Sequence, residues 1–299
     1  AAVLAIGAGR AAVTVDVLVE GRHFRLDWST AEQIGAKAAA ASLADLAAMG
    51  GAPVAIVVGF GAPARLPASW AIECARGIED EARRADAHVV GGDVTASDAV
   101  TISVTGIGDL QGRAPVLRSG AEPGNVVAIC GRLGWSAAGL DLLRHDVRAP
   151  SERLGELLDD HRHPHAPYSA GISAAQAGAT AMIDISDGLV ADARHIAQAS
   201  GVRIDLSWQA IEDHLGAGAD LLRAAAAQLP RDAMSPDDRV RDWVLHGGED
   251  HGLLACFGAE VPDGFTVIGE VRSPAQGVGV WVDNQPADEA GGHEHYRSR

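Results

Sequence analysis

Residues 37–51, KAAAASLADLAAMGG, constrain this chain more than any other stretch. They read as the second half of a helix. Ser29 and Thr30 are N-cap residue types, and Glu32 and Gln33 stand where a capping box needs them. Gly50, Gly51 and Pro53 end the helix. At helical spacing Ile34, Ala38, Ala41 and Asp45 share one stripe, so an apolar face of small residues carries a carboxylate. If that face packs inward, Asp45 needs a cation or several hydrogen-bond donors. A solvated, fraying helix end is the bland alternative.

The pattern around this helix predicts two α/β domains. Residues 11–19 alternate, with Val13, Val15, Val17 and Val19 on one face and Thr14, Asp16 and Leu18 on the other. That is a strand, and an Asp in mid-strand needs a reason. Residues 54–60 form a second strand and 69–84 a helix. Residues 88–90 lead to Gly91-Gly92-Asp93 at a strand end, and residues 99–108 alternate again. Their apolar faces exceed what one small sheet covers, which predicts a twofold dimer through this domain. Pro115 and Pro123 mark a junction, and 299 residues exceed one ordinary core, so the domains are taken as 1–115 and 116–299. In the second, strand 125–130 leads through Gly131-Arg132-Leu133-Gly134 into a helix reaching Leu143. That loop has a phosphate-friendly shape, although a plain tight turn has the same residues. His161, His163 and His165 alternate in a proline-flanked segment read as a solvated loop. A helix starts at Ser169, and strand 181–185 ends in Ser186-Asp187-Gly188. Helices through Ser200 and over 216–228 follow, with strands at 202–206, 253–257, 265–268 and 279–282. The fold class is α/β (α+β).

Charge narrows the chemistry. Twenty-four Lys and Arg against 40 Asp and Glu give −16, which argues against nucleic acid as a partner. Lys37 is the only lysine, in no Gly-Lys-Ser/Thr context, so P-loop and protein-kinase chemistry are excluded. Cys74, Cys130 and Cys256 have no metal spacing and read as reduced core thiols of a cytoplasmic protein. The absence of a long apolar run or leader pattern predicts no membrane partner. Acidic residues instead recur beside glycine or at element ends: Asp16, Asp45, Asp93, Asp184, Asp187, Glu249 and Asp250. Many carboxylates with few cations predict hard metal ions, Mg2+ above all when phosphate is present.

The segments TVDVLVEGRHF, SLADLAAMGGAP, GGDVT, LRSGAEPG, LGWSAAGL, DISDGL and HGGEDHGLL occur in an order that resembles the thiamine-monophosphate kinases, of the aminoimidazole-ribonucleotide-synthetase-like superfamily. The resemblance spans nearly the whole chain. It implies ATP-dependent phosphorylation of thiamine monophosphate to thiamine diphosphate with several Mg2+ ions. It also implies a homodimer whose N-terminal mixed sheets pair into a barrel, and a C-terminal α/β sandwich. Carried over by position, Asp16, Asp45 and Asp93 hold Mg2+, with Gly92 and Asp93 also at the nucleotide. Asp184 and Asp187 bind further metal, Ser186 and Arg118 touch ATP, and His23, Glu249 and Tyr296 contact the thiamine moiety. Thr14 keeps a hydroxyl for metal, whereas Val15 replaces a common Thr and offers a backbone oxygen alone. The acceptor is already an anionic phosphate, so no general base is required and no catalytic side chain is assigned.

Departures also count. The family carries Gly-Asp-Asp just before the Ala-Ala-Val that begins this sequence, so at least one of the family's metal ligands is absent from the sequence given. Val17 replaces a common Thr and Gly252 a common Glu. Two rivals remain: a selenophosphate-synthetase-like enzyme or purine-pathway ligase of the same superfamily, and a non-catalytic dimeric scaffold. The selenium chemistry wants a reactive thiol near the N-terminus; the first cysteine is Cys74.

Overall fold

Thr30 opens helix α1 (Ala31–Ala48) with a complete capping box: its hydroxyl accepts from the Gln33 N–H, and the Gln33 side chain accepts from the Thr30 N–H. The computed structural model describes residues 9–147, 151–230 and 234–287, so Tyr296 lies outside the described residues. The chain divides into two units, Ala1–Pro115 and Val116–Arg299.

In the first unit, β1 (Ala11–Val19), β2 (Ala52–Ala62), β3 (His88–Ala96) and β4 (Thr101–Asp109) form a sheet in the order β1-β4-β2-β3. Only β2 and β3 pair in parallel. Helix α1 lies on β1, β4 and β2, and α2 (Ala68–Arg84) packs on α1 and β3. Alanine makes this possible: α1 is buried on nearly every side, and its slim side chains let sheet and helix approach together. The stripe predicted to face inward is buried at Ile34 and Ala38 but half-buried at Ala41 and Asp45, so its second half opens outward. Residues directly opposite in the antiparallel ladders share a face. Val15, Thr105 and Val57 form one such row. The face they share with Val13 and Val17 is open, Val13 being 66% and Val15 60% exposed. One expectation is corrected here. Gly91-Gly92-Asp93 does not end a strand; β3 runs through it to Ala96, its register with β2 slipping between Ile56 and Val57.

The second unit holds a seven-stranded mixed sheet. In chain order its elements are β5 (Val126–Cys130), α3 (Trp135–Arg144), α4 (Glu152–Arg162), α5 (Tyr168–Gln176), β6 (Ala179–Asp184), α6 (Leu189–Ser200), β7 (Arg203–Leu206) and α7 (Trp208–Leu215). Then come α8 (Ala217–Ala226), α9 (Pro236–His246), β8 (Leu253–Phe257), β9 (Thr266–Arg272), β10 (Gly279–Val282) and β11 (Gln285–Pro286). The strand order is β11-β10-β7-β9-β5-β8-β6. Every residue of β8 is buried, which is why it reads as an unbroken apolar run rather than an alternation. A second correction concerns the His-rich segment. His161 sits in the last turn of α4 and is buried, because Leu154, Leu157, Leu158 and His161 form one inward stripe; only His163 and His165, whose rings stack, belong to the following loop. No described helix is long and apolar enough to cross a membrane.

Candidate functional site

In the first unit the strand Asp and the helix Asp meet. Thr14 and Asp16 leave β1 on its α1 side, where Thr14 Oγ1 donates to Asp45. Ser42 Oγ lies 2.9 Å from Asp16 Oδ2 and 2.8 Å from the Val104 carbonyl, two acceptors for its one proton. Ser42 precedes Asp45 by three residues and so sits on the same side of the helix. Both carboxylates are half-buried at the open edge of the helix–sheet layer. Val15 alternates to the opposite, open face, so only its main chain accompanies this pair. Asp93 is not part of it. Asp16, Val104, Val58 and Gly92 follow one row across all four strands, which puts Asp93 on the far edge, opposite Gly59 and exposed. Strand spacing makes that separation roughly 14 Å. His23 accepts the Val19 N–H at Nδ1, at 2.9 Å, which leaves the proton on Nε2.

The second unit gathers its acidic residues where two loops cross. Glu249 N–H donates to the Ser186 carbonyl (2.8 Å) and His251 N–H to the Ile185 carbonyl (2.8 Å), while Ile185 N–H donates to the Gly252 carbonyl (2.8 Å). The loop leaving β6 is thereby zipped to the loop leaving α9. Gly248 permits this crossing, since a Cβ there would meet the Ser186 carbonyl oxygen at 2.5 Å. Glu249 and His251 both adopt positive φ, +65° and +51°. Such left-handed backbone in non-glycine residues is held by the surrounding bonds. Asp184, buried at the end of β6, faces His251 Nδ1 at 3.2 Å.

Two helix N-termini that could take an anion here are already filled. Asp250, fully buried, accepts from Gly134 N–H (2.6 Å) and Ser136 N–H (3.0 Å) at the start of α3. The glycine loop 131–134 is therefore a turn closed by the protein's own carboxylate. Asp192, also buried, accepts from Asp187 N–H (3.0 Å) and Gly188 N–H (3.1 Å) at the start of α6. Burial, then Asp184 and Asp187, push its carboxyl up to about 8. Carboxyl oxygens of Asp187 and Asp192 and a ring nitrogen of His195 lie within 4.8 Å of one another, the one group of three or more acidic, His or Cys ligands this close among the described residues.

Sequence reading named Asp184, Ser186, Asp187 and Glu249, missed Ser42, Asp192 and His195, and placed His161 in a solvated loop. The signals were there: Ser42 and Asp45, and Asp192 and His195, are each three apart on a helix. Ser186 is half-buried in the crossing, whereas Arg118 is exposed and only its carbonyl has a described role, accepting from Ser200 Oγ at 3.0 Å. Thiol chemistry has no support, because burial pushes Cys74 and Cys256 up to about 12 and raises Cys130 as well.

Residues 1–110 match the family model "AIR synthase related protein, N-terminal domain", and residues 122–283 match its C-terminal domain. The thiamine-monophosphate kinase of Mycobacterium tuberculosis H37Rv is 51% identical over 271 residues, covering 91% of this chain and 77% of that protein. The Corynebacterium glutamicum enzyme of the same name is 43% identical over 279 residues, covering 92% and 80%. Among solved structures, AaThiL complexed with AMPPCP and TMP superposes with a TM-score of 0.82 at 30% identity, covering 96% of this chain and 87% of that one.

Proposed function

We infer the reaction from kinship, since this chain belongs to the thiamine-monophosphate kinases, two-domain AIR synthase related proteins: it transfers a phosphoryl group from ATP to thiamine monophosphate and yields thiamine diphosphate. The observation that carries the chemistry is the closure of both helix N-termini by Asp250 and Asp192. A phosphate finds no free helix end there, and Lys37, the only lysine, is buried in α1. This favours meeting the anionic substrates with metal ions held on carboxylates.

The donors present fit Mg2+. Asp16 and Asp45 with Thr14 in one unit, and Asp184, Asp187 and Asp192 in the other, offer hard oxygen atoms, and His195 adds a nitrogen. Asp93, on its own edge strand, supplies a separate ligand. Mg2+ bound to these groups would neutralise phosphate charge and align donor with acceptor. The protein's part is positional. Thr14 and Ser42 hold the two carboxylates of the first unit in place by hydroxyl donation. The Asp187 and Gly188 N–H groups hold Asp192. Gly92, Asp93, Arg118 and Ser186 are assigned to ATP, and His23, Glu249 and Tyr296 to thiamine monophosphate. The open valine face of the first unit supports a homodimer. Three free thiols, two of them deeply buried, suit a cytoplasmic enzyme.

Incubating the protein with ATP and thiamine monophosphate and separating the products by chromatography tests this reading. Thiamine diphosphate is expected only when Mg2+ is supplied, with formation stopped by EDTA and restored by excess Mg2+. No product at saturating ATP and Mg2+ overturns it in favour of a scaffold.

A further inference from the structure

We propose that His161 is a positioning residue for substrate recognition: it holds the carboxylate of Glu249 in the direction from which that group meets the thiamine moiety. The proposal rests on the assignment of Glu249 to the substrate. His161 lies on α4, in a segment that neither the motif pattern nor the loops of the site point to.

The geometry is set by α3. Gly139 brings α3 and α4 into backbone contact, because a Cβ at that position would lie 2.1 Å from the Leu157 carbonyl oxygen and 2.9 Å from His161 Cβ. Ser136 is three residues earlier on the same side of α3. Its hydroxyl is 3.0 Å from His161 Nδ1, both groups being buried. The Ser136 N–H meanwhile donates to Asp250, the residue after Glu249. One turn of helix therefore fixes both the ring and the loop that carries Glu249. The consequence is a distance of 3.7 Å from His161 Nδ1 to Glu249 Oε2, in a carboxylate that remains about one-third exposed.

What the ring offers Glu249 follows from which partner carries the proton of the bond between Ser136 Oγ and His161 Nδ1. With its lone pair on Nδ1, the ring would turn electron density toward a carboxylate oxygen. With the proton on Nδ1, the ring donates to Ser136 Oγ at 3.0 Å and turns the positive end of that N–H dipole toward Glu249 Oε2, 3.7 Å away. The Ser136 hydroxyl then acts as acceptor from the ring. Glu249 has little backbone freedom of its own, since its N–H is tied to the Ser186 carbonyl and its φ is +65°. His161, 3.7 Å from Oε2, adds an electrostatic constraint on the direction of the Glu249 side chain. A positioned carboxylate recognises an aminopyrimidine edge or a cationic ring at lower entropic cost than a mobile one.

The experiment compares His161→Leu, which removes the donor, with His161→Asn, whose amide nitrogen falls near the place of Nδ1. Each is made in the natural background and with Glu249→Gln, and KM for thiamine monophosphate, KM for ATP, kcat and thermal midpoint are measured. The expected result is a rise of about tenfold in KM for thiamine monophosphate in His161→Leu, with KM for ATP unchanged. Recovery of most of it is expected in His161→Asn, with no further rise when His161→Leu is added to Glu249→Gln. A His161→Leu variant with unaltered KM overturns the proposal, as does an effect that adds fully to Glu249→Gln. A His161→Asn variant no better than His161→Leu, with both thermal midpoints lowered alike, shows a packing role and also overturns it. If Glu249→Gln itself leaves KM for thiamine monophosphate unchanged, the substrate assignment of Glu249 has failed, and the proposal falls with it by a distinguishable route.

Discussion

Asp250 spends the folded state out of water, accepting two backbone N–H bonds at the head of α3. Burial pushes its carboxyl up to about 8, with Asp160 adding to the rise and the Ser136 and Gly134 donors pulling the other way. In the unfolded chain the same group loses its proton near pH 4. Between those values the folded protein holds a proton that the unfolded chain does not, so stability falls as pH rises from about 4 to 8. Asp192 is raised to a similar value, so two groups share the slope. Asp250→Asn should lower the thermal midpoint at pH 5, because the two N–H groups bond separate oxygens and the amide NH2 would face one of them. It should also flatten the decline between pH 5 and 8 in metal-free buffer; a slope equal to that of the natural protein would refute the assignment. Asp45 is the opposite kind of carboxylate, half-exposed and accepting from the Thr14 hydroxyl. Asp45→Asn is expected to weaken Mg2+-dependent ATP binding by at least roughly tenfold, as lost metal-site contacts do. The midpoint without metal should stay level or rise, since one carboxylate beside Asp16 is gone. Titration calorimetry with and without Mg2+ would show it, and unchanged Mg2+ dependence would remove Asp45 from the site.

At the scale of elements, α1 and its strands were legible because one rule wrote each of them. Alternating valines against Thr14 and Asp16 can only be a strand with two unlike faces, and β1 falls where the alternation runs, Ala11–Val19. A strand Asp and a helix Asp both asked for partners, and each has found a hydroxyl donor. Helices α4, α7 and α9 were not read. In α4, ERLGELLDDHR, charge and histidine mask a sound apolar stripe at Leu154, Leu157, Leu158 and His161. Asp192 was hidden for another reason: its partners are backbone N–H groups of a turn, which leave no mark on side-chain pattern. The contact between α3 and α4 was hidden as well, since Gly139 looks like an ordinary helix glycine. It makes a direct test of packing. Gly139→Ala puts a methyl against the Leu157 carbonyl, so the helices must part. A loss of about 1–3 kcal/mol in urea unfolding is expected from such overpacking. A neutral substitution would mean that α4 adjusts freely, and would weaken the case for His161 as a fixed group.

For the molecule as a whole, net charge and apolar surface pull in opposite directions. Each chain carries −16, so two copies repel at long range. Yet the sheet of the first unit is covered by α1 on one side and leaves Val13, Val15, Val17 and Val57 open on the other. A valine face of this kind drives association through burial and has no charge for salt to screen. If the two copies meet there, added salt screens the general repulsion and leaves the attraction intact, so the dimer should tighten as ionic strength rises. An interface held by ion pairs would loosen instead. Light scattering at micromolar protein should therefore give twice the chain mass, with the monomer fraction falling between 50 and 500 mM NaCl, both roughly chosen to span the Debye lengths that matter. Val15→Glu places a carboxylate at the centre of the face, in the row shared with Thr105 and Val57. It should give a monomer whose far-ultraviolet circular dichroism is unchanged, because that side chain is 60% exposed and supports nothing within its own unit. A Val15→Glu protein that remains dimeric, or a natural dimer that dissociates as salt is raised, would move the interface to another surface.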